Sequence, residues 1–339
     1  MNKMILTWAT ACLTISAQAQ DAPVALKATL NKQTHFQQTI APGHYSGITW
    51  LGNNEYAVVN DKARADGFFI FHINTDPDVG LISHAYSDEF RHADRPNRDM
   101  EGIAFFPKDT TIFIAGEADN QIMEYKLTTG KRTGRRLEIP DSLSHSAPNY
   151  GFESLSYNAA THLFWTVSES TLPIDGTPAT PSDKKKNQLR LLSFDEGLQL
   201  SAQYFYEMDM PELKSKTADN YSLGVSDVCA LDDGRLIVME RELYAPALKF
   251  GSFVVIKLYV VHPTADKRWT GGEKKPLEKT LLTEFKTQMT GLKTDFANYE
   301  GLCLGPKLSD GRQLLVLICD SQNQYKGKLK DWLKTIIIE

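Results

Sequence analysis

Five stretches of the chain follow one plan: a small or acidic residue, a short apolar strand, a turn, a second apolar strand, then an acid. A repeated unit of this length constrains the fold more than any other feature, because one unit cannot bury its own apolar face and must stack on the next. The units are Ser46-Gly-Ile-Thr-Trp through Asp61, Glu101-Gly-Ile-Ala-Phe through Glu117, Glu153-Ser-Leu-Ser-Tyr through Glu169, Ser226-Asp-Val-Cys-Ala through Glu240, and Glu300-Gly-Leu-Cys-Leu through Asp320. Turns such as Gly52-Asn53-Asn54 and Asp232-Asp233-Gly234 join the two strands, so each unit opens with a β-hairpin.

Further runs rich in β-branched and aromatic residues follow each hairpin. Phe68 to Ile73, Ile122 to Leu127, Leu189 to Phe194 and Phe253 to Val261 read as third strands, and Arg136 to Ile139 and Gln203 to Tyr206 as fourth strands. Four strands per unit is a propeller blade. The expected fold is an all-β propeller with five blades of four antiparallel strands; a six-bladed ring would need a repeat that the sequence does not show. The last unit supplies three strands before the chain ends, and a strand around Thr34 to Ile40 is expected to complete that blade and close the ring.

Residues 1–19 read as a signal peptide: Lys3 gives the positive start, Met4 to Ile15 is mostly apolar, and Ala17-Gln18-Ala19 fits the small-x-small cleavage rule. Cys12 would suit a lipoprotein signal, but the stretch before it is short for that. Residues 20–339 then form one domain, secreted or periplasmic, with no later run near the roughly 20 apolar residues that span a bilayer. At 42% hydrophobic and 23% charged, the chain has ample apolar surface for a core. A net charge of −5 without a basic stripe excludes a nucleic-acid binder. Cys229, Cys303 and Cys319 are too sparse for a disulfide framework and are expected as buried thiols.

The segments Ser46-Gly-Ile-Thr-Trp-Leu, Asp99-Met-Glu-Gly-Ile-Ala-Phe, Gly151-Phe-Glu-Ser-Leu-Ser-Tyr and Asn298-Tyr-Glu-Gly-Leu-Cys-Leu, each opening a hairpin, resemble the esterase-like phytase family of secreted β-propellers, over roughly Thr34 to Glu339. The resemblance implies phosphoester or ester hydrolysis of a small molecule. It identifies no catalytic residue here.

In a propeller the start of each first strand and the end of each second meet on one face. That gathers Glu101, Glu153, Glu300, Asp61, Glu117, Glu169, Glu240 and Asp320 at one mouth of the channel, while Ser46 and Ser226 hold equivalent places without a carboxylate. Close carboxylates must be protonated, paired with Arg or Lys, or bound to a hard cation. Ca2+ suits oxygens drawn from several blades, whereas zinc lacks nearby His and exposed Cys. Arg98 and Arg241 are candidate phosphate clamps, Lys62 a rim cation and Tyr45 a wall of a ligand cup, with Tyr150, Tyr221 and Tyr299 in similar places. The run Lys184-Lys185-Lys186 reads as a solvated loop. The alternative reading of the acids is structural: they accept amide hydrogen bonds or pair with arginines and hold blades together.

No Gly-x-Ser-x-Gly elbow, HExxH, P-loop or dinucleotide fingerprint is present. The expectation is a metal-assisted phosphoester hydrolase, monomeric, without stable membrane insertion. The rival is a non-catalytic propeller that binds a glycan, peptide or envelope partner through the same face.

Overall fold

The computed structural model describes residues 24–144, 151–183, 185–213, 220–247, 249–291 and 294–339. The signal sequence, Cys12, Tyr150 and Lys184 lie outside them. Two short N-terminal strands, β1 (Ala28–Leu30) and β2 (Thr34–His35), precede five antiparallel sheets. Blade 1 is β3 (Tyr45–Gly52), β4 (Glu55–Asn60), β5 (Gly67–Thr75) and β6 (Ile82–His92). Blade 2 is β7 (Met100–Phe106), β8 (Thr111–Gly116), β9 (Gln121–Lys126) and β10 (Arg132–Arg136), and blade 3 is β11 (Ser156–Asn158), β12 (Leu163–Val167), β13 (Gln188–Asp195) and β14 (Leu200–Glu207). Blade 4 is β15 (Tyr221–Ala230), β16 (Leu236–Tyr244), β17 (Ser252–Val261) and β18 (Lys279–Met289). Blade 5 is β19 (Asn298–Lys307), β20 (Gln313–Asp320) and β21 (Trp332–Ile338), completed by β1.

The expected five-bladed all-β propeller is therefore the observed one. Its closing strand lies a few residues earlier than the sequence suggested. Ala28, Thr29 and Leu30 pair with Ile338, Ile337 and Ile336. Only Thr34 and His35 of the expected strand pair with β21; after them the amides of Thr39 and Ile40 turn back onto the Phe36 carbonyl and end it. The fourth strand of blade 2 likewise falls at Arg132–Arg136, not Arg136 to Ile139.

Five apolar clusters fill the five gaps between neighbouring blades. Phe113 packs on Phe164 between blades 2 and 3, and Leu315, Leu317 and Ile336 pack on Ile237, Met239 and Ile256 between blades 5 and 4. Each such side chain contributes about 1.5–3 kcal/mol by leaving water. Cys229, Cys303 and Cys319 are buried and unbridged, as expected.

The innermost strands approach one another closely because a glycine follows the ring position in three blades. A Cβ on Gly47, Gly102 or Gly301 would lie 2.2, 2.5 or 2.4 Å from the carbonyl of Glu101, Glu153 or Ser46 in the adjoining blade. Blade 4 places Asp227 there instead. Its buried carboxylate accepts the amides of Val228 at 2.8 Å, Leu302 at 2.7 Å and Leu155 at 3.4 Å, tying blades 3, 4 and 5 together across the channel.

Candidate functional site

A shared backbone device aims side chains into the channel mouth. In four blades the first strand carries a β-bulge between the residue before the ring position and the residue paired next: Tyr45/Ile48, Met100/Ile103, Val225/Asp227 and Tyr299/Gly301. The extra residue on that strand is left out of the ladder and its side chain is redirected. Glu101, Glu300 and the serines Ser46 and Ser226 thereby leave the normal alternation.

A second set of positions completes the mouth. Where a second strand ends, its residue lies opposite the one two places before its own blade's ring position: Asp61 with His44, Glu117 with Asp99, Glu169 with Gly151, Arg241 with Gly224, and Asp320 with Asn298. It then meets the same position of the following blade. Lys62 joins Asp61 to Asp99, at 3.1 Å from Asp61 and in direct contact with Asp99. Arg241 bonds Asn298 Oδ1 at 3.1 Å, and Asp320 lies 3.4 Å from His44 Nδ1. Glu117 and Glu169 instead fit against glycines; a Cβ on Gly224 would sit 2.5 Å from Glu169 Cγ, and one on Gly151 3.3 Å from Glu117 Cγ.

Seven of the eight expected acids thus converge: Asp61, Glu101, Glu117, Glu153, Glu169, Glu300 and Asp320. Glu240 does not. In the register of blade 4 it occupies the position of Asn60, Gly116 and Cys319, one residue before the acids, and its side chain projects between blades 3 and 4. There it accepts the Tyr206 hydroxyl at 2.6 Å and contacts Lys279 at 2.5 Å. Arg241 takes the fifth ring position in its stead. Its guanidinium contacts Glu300, bonds Glu169 at 3.2 Å and supplies the buried positive charge among the acids.

Arg98 cannot serve as the expected clamp. Its donors go to Asp119 at 2.7 and 2.8 Å, the Tyr125 hydroxyl at 2.9 Å and the Gln121 carbonyl at 2.6 Å. Tyr45 and Tyr299 are buried between blades rather than lining a cup: the Tyr45 hydroxyl donates to the Ala41 carbonyl and that of Tyr299 to Gln33. Lys62 stands at the rim as expected, and Tyr221 lines the cavity.

That cavity has a volume of about 640 Å³ and is walled by Asp61, Asp99, Glu101, Glu117, Glu153 and Glu169. Burial raises the pKa of Glu101, with Glu300 and Asp61 adding to it, and burial with the neighbouring Glu169 raises that of Glu153. The Glu153 and Glu169 carboxyls interact directly, and burial raises the pKa of Glu169 as well. Burial and the charges of Glu169 and Asp99 push Glu117 up to about 7; burial pushes Glu300 to about 8 even though Arg241 pulls it down.

Asp61, Asp99 and Glu101 each present a carboxylate oxygen, all within 4.8 Å of one another. Asp61 Oδ1 and Glu117 Oε1 are buried with no hydrogen-bond partner among the described residues. Such oxygen-only donors fit a hard cation and not zinc. Asp99 was visible in the sequence but not read as part of the site. The signal was its place two residues before Glu101, the place that Asn298 holds before Glu300.

A closed five-bladed propeller with an acid-lined mouth on its axis is the class of protein these features define. The chain belongs to the phytase-like family, described as esterase-like activity of phytase, whose model matches residues 40–322. Comparison with curated proteins gives no match. Solved structures of similar shape include an endo-arabinase from Bacteroides thetaiotaomicron VPI-5482 (9% identity, 88% of this chain and 96% of that one, TM-score 0.47) and a luciferin-regenerating enzyme (9%, 90% and 94%, 0.44). A streptogramin B lyase aligns at 12% identity over 92% of this chain and 98% of its own, with a TM-score of 0.37. Likenesses this distant say nothing about chemistry.

Proposed function

We propose that the protein hydrolyses phosphoesters of small molecules at the acid mouth with the help of a divalent cation, Ca2+ by the donor chemistry. The observation that carries this reading is the oxygen triad of Asp61, Asp99 and Glu101 beside the unpartnered oxygens of Asp61 and Glu117. When bound, the cation would neutralise the mouth and polarise a phosphoryl oxygen. Around it, Lys62 offers an ammonium to the substrate's charge, and the bulge keeps Glu101 turned inward. Glu117, held near 7 in the cation-free mouth by burial and the charges of Glu169 and Asp99, is placed to take the proton that the attacking water loses and to return one to the leaving oxygen. The signal sequence at residues 1–19 would place this chemistry outside the cytoplasm; among the described residues no helix is long and apolar enough to cross a membrane.

The test is phosphate release from a panel of phosphomonoesters. Turnover should require Ca2+, stop with a chelator, and fall at least about 100-fold in Glu101→Gln, the scale of removing one group that stabilises transition-state charge. A second reading, binding without turnover, draws on Lys62 and Arg241, which already offset part of the acid charge. Ligand retention under full chelation, with no turnover on the panel, would favour it.

A further inference from the structure

Next to the acid mouth, between blades 4 and 5, lies a second cavity of about 510 Å³, within the usual range for small-molecule sites. Leu243, Phe250, Met289, Phe296 and Leu329 form the apolar part of its wall. Phe250 is 67% exposed, an unusual cost for a large aromatic side chain at a rim. Lys249, Lys326 and Lys328 edge the same cavity and form no ion pair with a described residue. Two of them, Lys249 and Lys326, stand 5.8 and 5.4 Å from the Tyr325 ring.

The cavity adjoins the acids at Asp320. Asn298 and Asp320 form its inner wall, and Asn298 also bonds Glu300 at 2.7 Å and Arg241 at 3.1 Å in the mouth. The surrounding backbone is strained in a way that clusters at ligand sites: Asn220, Lys249, Gln322 and Lys326 all line the cavity and hold φ between 50° and 60° without being glycine.

We propose that this cavity receives the organic part of an aryl or alkyl phosphomonoester whose phosphoryl group reaches the acid mouth past Asn298 and Asp320. The assignment rests on the hydrolase reading for its reaction but not for its binding. Charge and polarity choose the occupant. The three lysines, which form no ion pair with a described residue, attract an anion that the carboxylates of the mouth would otherwise repel. A polyhydroxylated body would leave its hydroxyls against Leu243, Met289, Phe296 and Leu329, whereas an aryl body removes apolar surface from water on both sides.

Binding of naphthylmethylphosphonate, which cannot be hydrolysed, is compared with that of methylphosphonate by titration calorimetry in Ca2+, using the mature chain. The naphthyl compound should bind at least about tenfold more tightly. That advantage should be lost in Phe250→Asp, whereas the Lys326→Glu/Lys328→Glu double variant should weaken the binding of both phosphonates alike; both alter exposed positions and leave the blades' cores untouched. Equal affinity for the two phosphonates, a preference unchanged in Phe250→Asp, or affinity for both phosphonates unchanged in the double variant overturns the assignment. Hydrolysis of 1-naphthyl phosphate and glycerol 2-phosphate separates the two readings. No turnover of either with the binding preference intact refutes the hydrolase and keeps the cavity; turnover of both at equal KM with no binding preference refutes the cavity and keeps the hydrolase.

Discussion

Arg241 holds the electrostatics of the mouth together, because it is the buried cation that touches both Glu169 and Glu300. Removing one partner of a buried ion pair leaves an uncompensated charge, a cost of about 3–5 kcal/mol. Arg241→Gln is expected to lose that much stability in urea denaturation at pH 8 and clearly less at pH 5, where Glu300, near 8, is protonated. Its place in the ring was hidden in the sequence. The repeat led to Glu240 because an acid ends the second strand of the other units, yet hairpin turns of unequal length conceal a one-residue offset, and in a strand that offset turns a side chain to the opposite face. Glu101, Glu153 and Glu300 were legible for the converse reason: each begins its hairpin beside a glycine or serine small enough for the next blade to approach.

The ring is closed by very little chain. β1 pairs three residues with β21, and Lys27 exchanges two main-chain hydrogen bonds with Glu339. At about 0.5–1.5 kcal/mol per net hydrogen bond, deleting residues through Leu30 should cost about 3 kcal/mol and expose the edge of β21. Thermal unfolding of the deleted chain, together with limited proteolysis after Trp332, would show it; an unchanged Tm would mean that β2 alone holds the closure. The presence and type of elements were readable from their alternation. The bulges were not, since a bulge adds one residue to a strand without changing its composition, and it is the bulge that turns the ring residues inward.

As a whole the molecule gathers more buried negative charge than its own cations offset, and this makes its stability depend on pH. A carboxyl whose folded pKa lies above its unfolded value keeps a proton in the folded state that the unfolded chain releases. Folding then takes up protons across that window, and stability falls as pH rises through it. With Glu117 near 7 and Glu300 near 8 against 4.5 for each when unperturbed, stability in a chelating buffer should drop by at least about 2 kcal/mol between pH 5 and 8. Millimolar Ca2+ should raise Tm more at pH 8 than at pH 5, because a cation binds carboxylates only once their protons have left. A Tm that rises with pH in chelator would contradict this account of the mouth. The sequence by itself determined the five-fold repeat, the all-β class and the gathering of first-strand acids at one opening, because alternation, turn residues and repeat order are local and survive as a pattern along the chain. Only the tertiary structure decided that Arg241 and not Glu240 enters the ring, that Asp99 joins Asp61 and Glu101, that Arg98 is consumed by its own blade, and that an apolar, lysine-edged cavity adjoins the acids. Those outcomes depend on register across blade boundaries, where a shift of one residue exchanges a carboxylate for a guanidinium.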